Sequence, residues 1–327
     1  MAIPALLQER GVDASHVLGR VGIDPHVFSD AASWLPFDVV GRIIAECATA
    51  TACPHFGLLL GMRSGGDSAV LAGDLARNAD TVGSGLRLLL AHMHLHDRGG
   101  VAALTEISDD QVEFSYAIYH ANTPGIAEMM DGIAASLYAF VQRLCGSRWA
   151  PTEVRLARRR PRNVAPYRSL FCAPLRFDAP HTSLLFPAHW LDQPIDGADP
   201  AERTRLLRLV PELEAERPAA VTEEVIRTLS RMVISMPPSR DKVAEVLGMK
   251  PRTLREQLRA EGASVKELLE DVRCERARQL LEDSRMPIGE IAASLHYSTP
   301  GAFSRAFKAW TGKTPRQWRQ YAVSRGS

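Results

Sequence analysis

The chain has 327 residues, 46% hydrophobic and 24% charged, with a net charge of +1 at neutral pH. That length is too great for one ordinary core and fits two globular, soluble domains. It holds no apolar run of about 18 residues that would cross a bilayer, and Met1 to Arg10 lacks the basic and apolar regions of a secretion signal. Five cysteines, Cys47, Cys53, Cys145, Cys172 and Cys274, are scattered without a Cys-x-x-Cys pair. This pattern suits a reducing cytoplasm, provides no zinc framework and favours buried free thiols.

In chain order, Phe37 to Ala50 predicts a helix and Thr81 to Leu95 a less regular one. Val101 to Ile107 and Gln111 to Tyr119 have strand character, with Ser108-Asp109-Asp110 as the turn between them. Ile126 to Leu144 reads as a helix, and Glu153 to Ala157, Leu175 to Phe177 and Thr182 to Phe186 as shorter strands. An α+β domain of ligand-binding type is therefore expected over residues 1–215. A helix over Glu202 to Leu213 leads to a polar, proline-containing seam at Glu214 to Ala220. Beyond it, Val221 to Met236 is amphipathic, with Val221, Val225, Leu229 and Val233 four apart, and Pro237-Pro238 ends it. Residues 216–327 are expected to form a second, all-α domain.

Charge is divided unevenly between the two. From Pro218 onward there are 19 basic and 13 acidic residues, a net of +6, while the rest holds 20 and 25, a net of −5. The positive excess sits where a phosphate backbone would need it.

The second domain contains one pattern twice, at about 240–261 and 288–310. Val243-Ala244 and Leu247-Gly248 fall on Ile291-Ala292 and Leu295-His296 at an offset of 48, whereas Leu254, Leu258 and Arg259 fall on Phe303, Phe307 and Lys308 at 49. This is a duplicated helix-turn-helix with a second turn one residue longer. Small Ala244 suits a close helix crossing, Gly248 a left-handed turn, and Pro251 the first position of a helix. Leu254 and Leu258 face inward, leaving Arg252, Thr253, Arg255, Glu256 and Arg259 outside. In the second unit Thr299-Pro300 starts the helix, Phe303 and Phe307 anchor it, and Gly301, Ser304, Arg305 and Lys308 face out. Arginine can take guanine O6 and N7 together, and glutamate can accept from cytosine N4. Arg305 is the best base reader of the second helix, and Lys308 suits a phosphate. Ser264 to Glu282 reads as one linking helix holding the recognition helices apart. Two matches in register on a basic segment point to DNA binding.

Residues Val221 to Tyr321 resemble the DNA-binding domain of the AraC/XylS family of regulators, most specifically over Gly289 to Pro315. By that resemblance, base reading falls on Arg252, Arg255 and Glu256, then on Gly301, Ser304 and Arg305. Thr253, Arg259, Thr299 and Lys308 are left as backbone contacts. Two positions depart from the pattern: Lys250 replaces a capping serine, a loss of about 1 kcal/mol, and His296 replaces glycine. Gly301 implies that the second helix specifies fewer bases. Phe56 to Gly61, Trp149 to Val154 and Tyr167 to Phe186 resemble the effector domain of ornithine-utilisation-type regulators, with Cys172 in place of a glycine. This implies effector sensing and dimerisation.

Other motifs carry less. Phe307 stands where a P-loop ending in Gly312-Lys313-Thr314 would need glycine, Gly83-Ser84-Gly85 is too short for a dinucleotide loop, and no hydrolase or zinc motif occurs. Neither catalytic residue, metal nor cofactor is expected. His92 and His96 would share a helical face at i,i+4, a spacing that can chelate a metal but more simply lines a core or pocket. The basic run Arg155 to Arg162 reads as a solvated face, with Arg158, Arg160 and Arg168 as candidates if an effector is anionic. Trp34, Trp149 and Tyr167 suit an apolar pocket or, more simply, the core. The expected protein is a cytoplasmic regulator, homodimeric through its first domain, that binds double-stranded promoter DNA and acts at RNA polymerase as an activator. Two other readings of the first domain are an interaction module without a ligand and an enzyme fused to a DNA reader.

Overall fold

Two apolar clusters organise the chain, one drawn from Ile3 to Ile195 and the other from Val225 to Phe307. The computed structural model describes residues 2–28, 35–65, 70–120 and 123–325; Trp34 lies outside them.

The N-terminal domain begins with α1 (Ile3–Glu9), α2 (Ala14–Arg20), α3 (Phe37–Ala50), α4 (Phe56–Ser64), α5 (Val70–Arg77) and α6 (Val82–His92). The strands β1 (Gly100–Ser108) and β2 (Gln111–Ile118) form the expected hairpin. Helix α7 (Ile126–Cys145) is followed by β3 (Glu153–Arg155), α8 (Ala165–Phe171), β4 (Leu175–Arg176), β5 (Thr182–Pro187) and α9 (Pro200–Glu216). The sheet order is β1-β2-β5-β3-β4, antiparallel except for the β3–β4 pair.

Alternation along β2 sends Val112, Phe114, Tyr116 and Ile118 into the first core with α7. The opposite face is closed as well, because every β2 residue after Gln111 is buried. Helix α4 crosses α7 so closely that a Cβ on Gly57 would lie 1.8 Å from the Glu128 carbonyl oxygen, and one on Gly61 2.0 Å from that of Gly132. The glycines of Phe56 to Gly61 are thus a packing requirement. Thr81 and Ser84 form a reciprocal capping box that starts α6.

The C-terminal domain comprises α10 (Val221–Ser235), α11 (Arg240–Val246), α12 (Pro251–Ala260), α13 (Val265–Asp283), α14 (Ile288–Ser294), α15 (Pro300–Thr311) and α16 (Pro315–Arg325). Helix α10 packs across β1 and β2, covering the sheet face that α7 leaves open. Arginines add further contacts, two of them to carbonyls at helix ends, which lack intrahelical partners and favour cations. Arg231 donates to Leu90 O in the last turn of α6 at 3.1 Å, and Arg159 to Glu282 O in the last turn of α13 at 2.5 Å. Arg276, 9% exposed, donates to Pro180 O and to Gln279 Oε1. Burial lowers its guanidinium pKa to about 10, so it stays cationic at neutral pH. The backbone N–H of Arg285 donates to Asp178 Oδ1 at 2.6 Å.

Two expectations fail in detail. Helix α6 ends at His92 and a 3-10 turn spans Met93–Leu95, so His92 and His96 do not share an α-helical face. The basic run is not a solvated face either. Arg155 pairs with Glu113 and Glu153, Arg158 with Asp131, and Arg159 with the α13 terminus. The run borders a sheet and a second domain whose carboxylates and carbonyls come from distant sequence.

Among the described residues no helix is long and apolar enough to cross a membrane.

Candidate nucleic-acid interface

The two helix-turn-helix units close with the same backbone hydrogen bonds. In the first, Gly248 N–H donates to Glu245 O at 3.0 Å and Met249 N–H to Ala244 O at 2.9 Å. In the second, His296 N–H donates to Ala293 O at 3.0 Å and Tyr297 N–H to Ala292 O at 2.9 Å. Ala244 and Ala292 are buried where the helices cross.

Past the turn, the helix starts differ. Lys250 provides no side-chain cap for α12, whereas Thr299 Oγ1 accepts from Ala302 N–H at 3.1 Å and caps α15. Both helices have proline in their first turn. Leu254 and Leu258 seat α12, and Phe303 and Phe307 seat α15, all fully buried. Phe307 meets Trp318 of α16 edge to face at 5.7 Å, and Trp318 Nε1 donates to Glu282 Oε1 at 2.8 Å, so the closing helix braces the second unit.

This seating leaves Arg252, Thr253, Arg255, Glu256 and Arg259 exposed on α12. Arg252 pairs with Glu256 one turn on at 2.8 Å. On the second unit Thr299, Gly301, Arg305 and Lys308 are exposed and Ser304 half-buried. A Cβ on Gly301 would lie 3.7 Å from an Arg305 guanidinium nitrogen, so Arg305 lies back along the bare helix start. The expected reading residues of each unit therefore share one solvent-facing surface, with no carboxylate beside Arg305 or Lys308 in their own helix.

The candidate effector residues do not converge. Trp149, 1% exposed, packs against Tyr138 and Phe186. Tyr167 is equally buried, donating to Asp131 Oδ2 at 2.5 Å while accepting from Arg158 at 2.9 Å. His92 is half-buried at the end of α6 and His96 exposed. Arg168 lies on the surface of α8 and lines a cleft with Arg160. Asp131, the centre of the Arg158–Tyr167 group, was missed from sequence; its signal was a lone carboxylate on the buried face of an apolar helix. Among the described residues no three His, Cys, Asp or Glu side chains group to hold a metal ion.

Two family models match the two domains in turn. The family model described as the N-terminal arabinose-binding domain of AraC transcription regulator matches residues 11–195, and a helix-turn-helix domain model matches residues 243–321. The HTH-type transcriptional regulator VirS of Mycobacterium tuberculosis is 27% identical over 97% of this chain and 93% of its own. The ornithine utilization regulator of Pseudomonas aeruginosa is 25% identical over 98% and 94%. The crystal structure of the transcriptional regulator CdpR from P. aeruginosa covers 97% of this chain and 96% of its own, at 25% identity and a TM-score of 0.49. These relatives are regulators and not enzymes. With a mixed α/β sensor-type domain followed by a duplicated helix-turn-helix, the chain belongs to the AraC family of DNA-binding transcription regulators.

Proposed function

We propose that each protomer reads two successive major grooves, one with α12 and one with α15, under the control of a small molecule at the N-terminal domain. Arg252, Arg255 and Glu256, then Gly301, Ser304 and Arg305, contact base edges. Thr253, Arg259, Thr299 and Lys308 contact phosphates and set the register. The observation that carries this reading is the shared turn geometry of the two units, which leaves equivalent helix faces exposed. The linking helix α13 has 19 residues, hence a length of roughly 28 Å, commensurate with the roughly 34 Å between successive major grooves on one face of B-DNA.

Residues 1–215 form the sensing and dimerising unit and residues 216–327 the reader, working in the cytoplasm. An effector changes how two N-terminal domains pair, which alters half-site spacing and with it promoter occupancy or contact with RNA polymerase. The docking of α10 on the sheet supports such coupling, since movement of the sheet moves the reader.

The test is in vitro selection of genomic fragments by the full-length protein beside Arg255→Ala and Arg305→Ala. Enrichment of a few promoters that both variants lose is the expected result. Equal retention of all fragments by the three proteins would reduce these arginines to phosphate anchors.

A further inference from the structure

A cleft of about 430 Å³ opens beside α8, within the roughly 300–1,000 Å³ range of small-molecule sites. Arg160 and Arg168 line it together with Val164, Cys172, Leu175 and Phe177, and no carboxylate does. Arg155, Arg158 and Arg159 of the same run are held by protein acceptors. By contrast, Arg160 and Arg168 are exposed and make no ion pair among the described residues; Arg160 only rests over the Phe177 ring at 6.0 Å. Two guanidiniums without counter-charge therefore stand over an apolar wall. A guanidinium fork matches a carboxylate with two parallel hydrogen bonds, which are stronger than neutral ones.

We propose that this cleft binds a small organic carboxylate, its anionic head held by Arg160 and Arg168 and its apolar body against Phe177, Leu175 and Val164. The proposal rests on the reading that the N-terminal domain senses a small molecule, and it locates the site and the ligand class. It also supplies a route to the reader. Arg160 follows Arg159, which holds Glu282 O, and Phe177 precedes Asp178, which holds Arg285 N–H. The two clamps grip the last turn of α13 and the turn that follows it, just before the second helix-turn-helix begins. A ligand that draws Arg160 and Phe177 inward pulls on both.

The experiment is calorimetry on the full-length protein with octanoate and benzoate, their uncharged amides, and inorganic phosphate. In parallel, alkylation of Cys172 by iodoacetamide is followed by mass spectrometry, because Cys172 is exposed while the other four cysteines are buried. At least one carboxylate is expected to bind at least tenfold more tightly than its amide and than phosphate, and to slow alkylation of Cys172. Arg160→Gln and Arg168→Gln are each expected to weaken that binding about tenfold, the loss of one charge-assisted hydrogen bond. Both residues are exposed, so the variants should fold as the parent does.

Carboxylate binding that persists unchanged in the double variant would overturn the cleft while leaving sensing intact. So would failure of both carboxylates alongside a hit elsewhere in a thermal-shift library of chemically varied metabolites. Silence of the carboxylates and of the whole library would overturn both the cleft and the sensing reading, without touching DNA recognition.

Discussion

His296 holds in the second turn the left-handed backbone that Gly248 holds in the first, with φ of 59° and 63°. A side chain at such a φ costs about 1–2 kcal/mol. His296 recovers part of this through its Nε2, which lies 3.1 Å from Val233 O in α10 and donates there as the Nε2–H tautomer. The histidine thus ties the second turn to the helix that docks on the sheet.

The two positions should respond differently to substitution. Nothing lies within 4 Å of a Cβ built on Gly248, so Gly248→Ala should cost only the backbone strain, about 1–2 kcal/mol. His296→Ala keeps the strain and loses the hydrogen bond, a further loss of about 1 kcal/mol, whereas His296→Gly exchanges one for the other. Urea denaturation should therefore rank His296→Gly above His296→Ala in stability. Both variants lose the Val233 contact, so the reverse order would mean that the left-handed backbone at 296 imposes no strain on a side chain.

If Arg252 reads DNA as proposed, its pairing with Glu256 gives α12 an internal competitor for that contact. The two side chains are 88% and 63% exposed, so the pair should contribute only a few tenths of a kcal/mol to folding. Glu256→Gln is expected to leave the melting temperature unchanged and to raise affinity for random duplexes, because it frees Arg252 and removes a negative charge. It should also relax preference at one base pair. By contrast, Lys308→Ala should weaken all sequences alike and reduce the salt slope of binding by about one. Titration of specific and random duplexes at several salt concentrations separates these outcomes.

Much of this architecture was legible because it is local. The 48-residue offset between Ala244 and Ala292 reappears as matching turn hydrogen bonds, since a helix-turn-helix is specified by neighbours in sequence. The β1–β2 hairpin was legible for the same reason. What escaped is long-range. The fates of Arg155, Arg158 and Arg159 depend on Glu113, Asp131 and Glu282, which no spacing rule connects to them. His92 and His96 failed because periodicity did not locate the end of α6. The candidate site divides likewise: the outward faces of α12 and α15 follow from their inward anchors, whereas the Arg160–Arg168 cleft needs β4 and α8 brought together.

Glu113 makes the stability of the N-terminal domain sensitive to acid. Burial alone would raise its pKa, but hydrogen bonds from His181 and Ser183 and the Arg155 charge outweigh burial and hold it at about 2, below the ordinary 4.5. A depressed carboxylate stabilises the fold above its unfolded pKa, and that contribution is lost as pH falls from 4.5 through 2. Glu113→Gln should therefore cost up to about 3 kcal/mol at pH 7. The gap from the parent should shrink steadily below pH 4.5. Denaturant midpoints at pH 7, 5 and 3 test this, and a gap that does not change with pH would assign the loss to packing instead.

Arg276 tests how far the two domains act as one. Its guanidinium crosses from α13 to Pro180 O, just beyond the Asp178 clamp, and burial leaves it no solvent to fall back on. Arg276→Ala strands that carbonyl and opens a gap beside the small cavity lined by Ser230, Val233 and Val101. The anchors of α12 and α15 lie elsewhere in the second core, so the recognition surfaces should survive. The expected result is faster cleavage by a glutamate-specific protease at Glu216, the exposed end of α9 before α10, with affinity for a single half-site unchanged. Under the proposed coupling, response to an N-terminal ligand should fall at the same time, because α10 is where the reader meets the sheet. Cleavage at the parent rate with loss of half-site binding would instead make Arg276 a core residue of the reader alone.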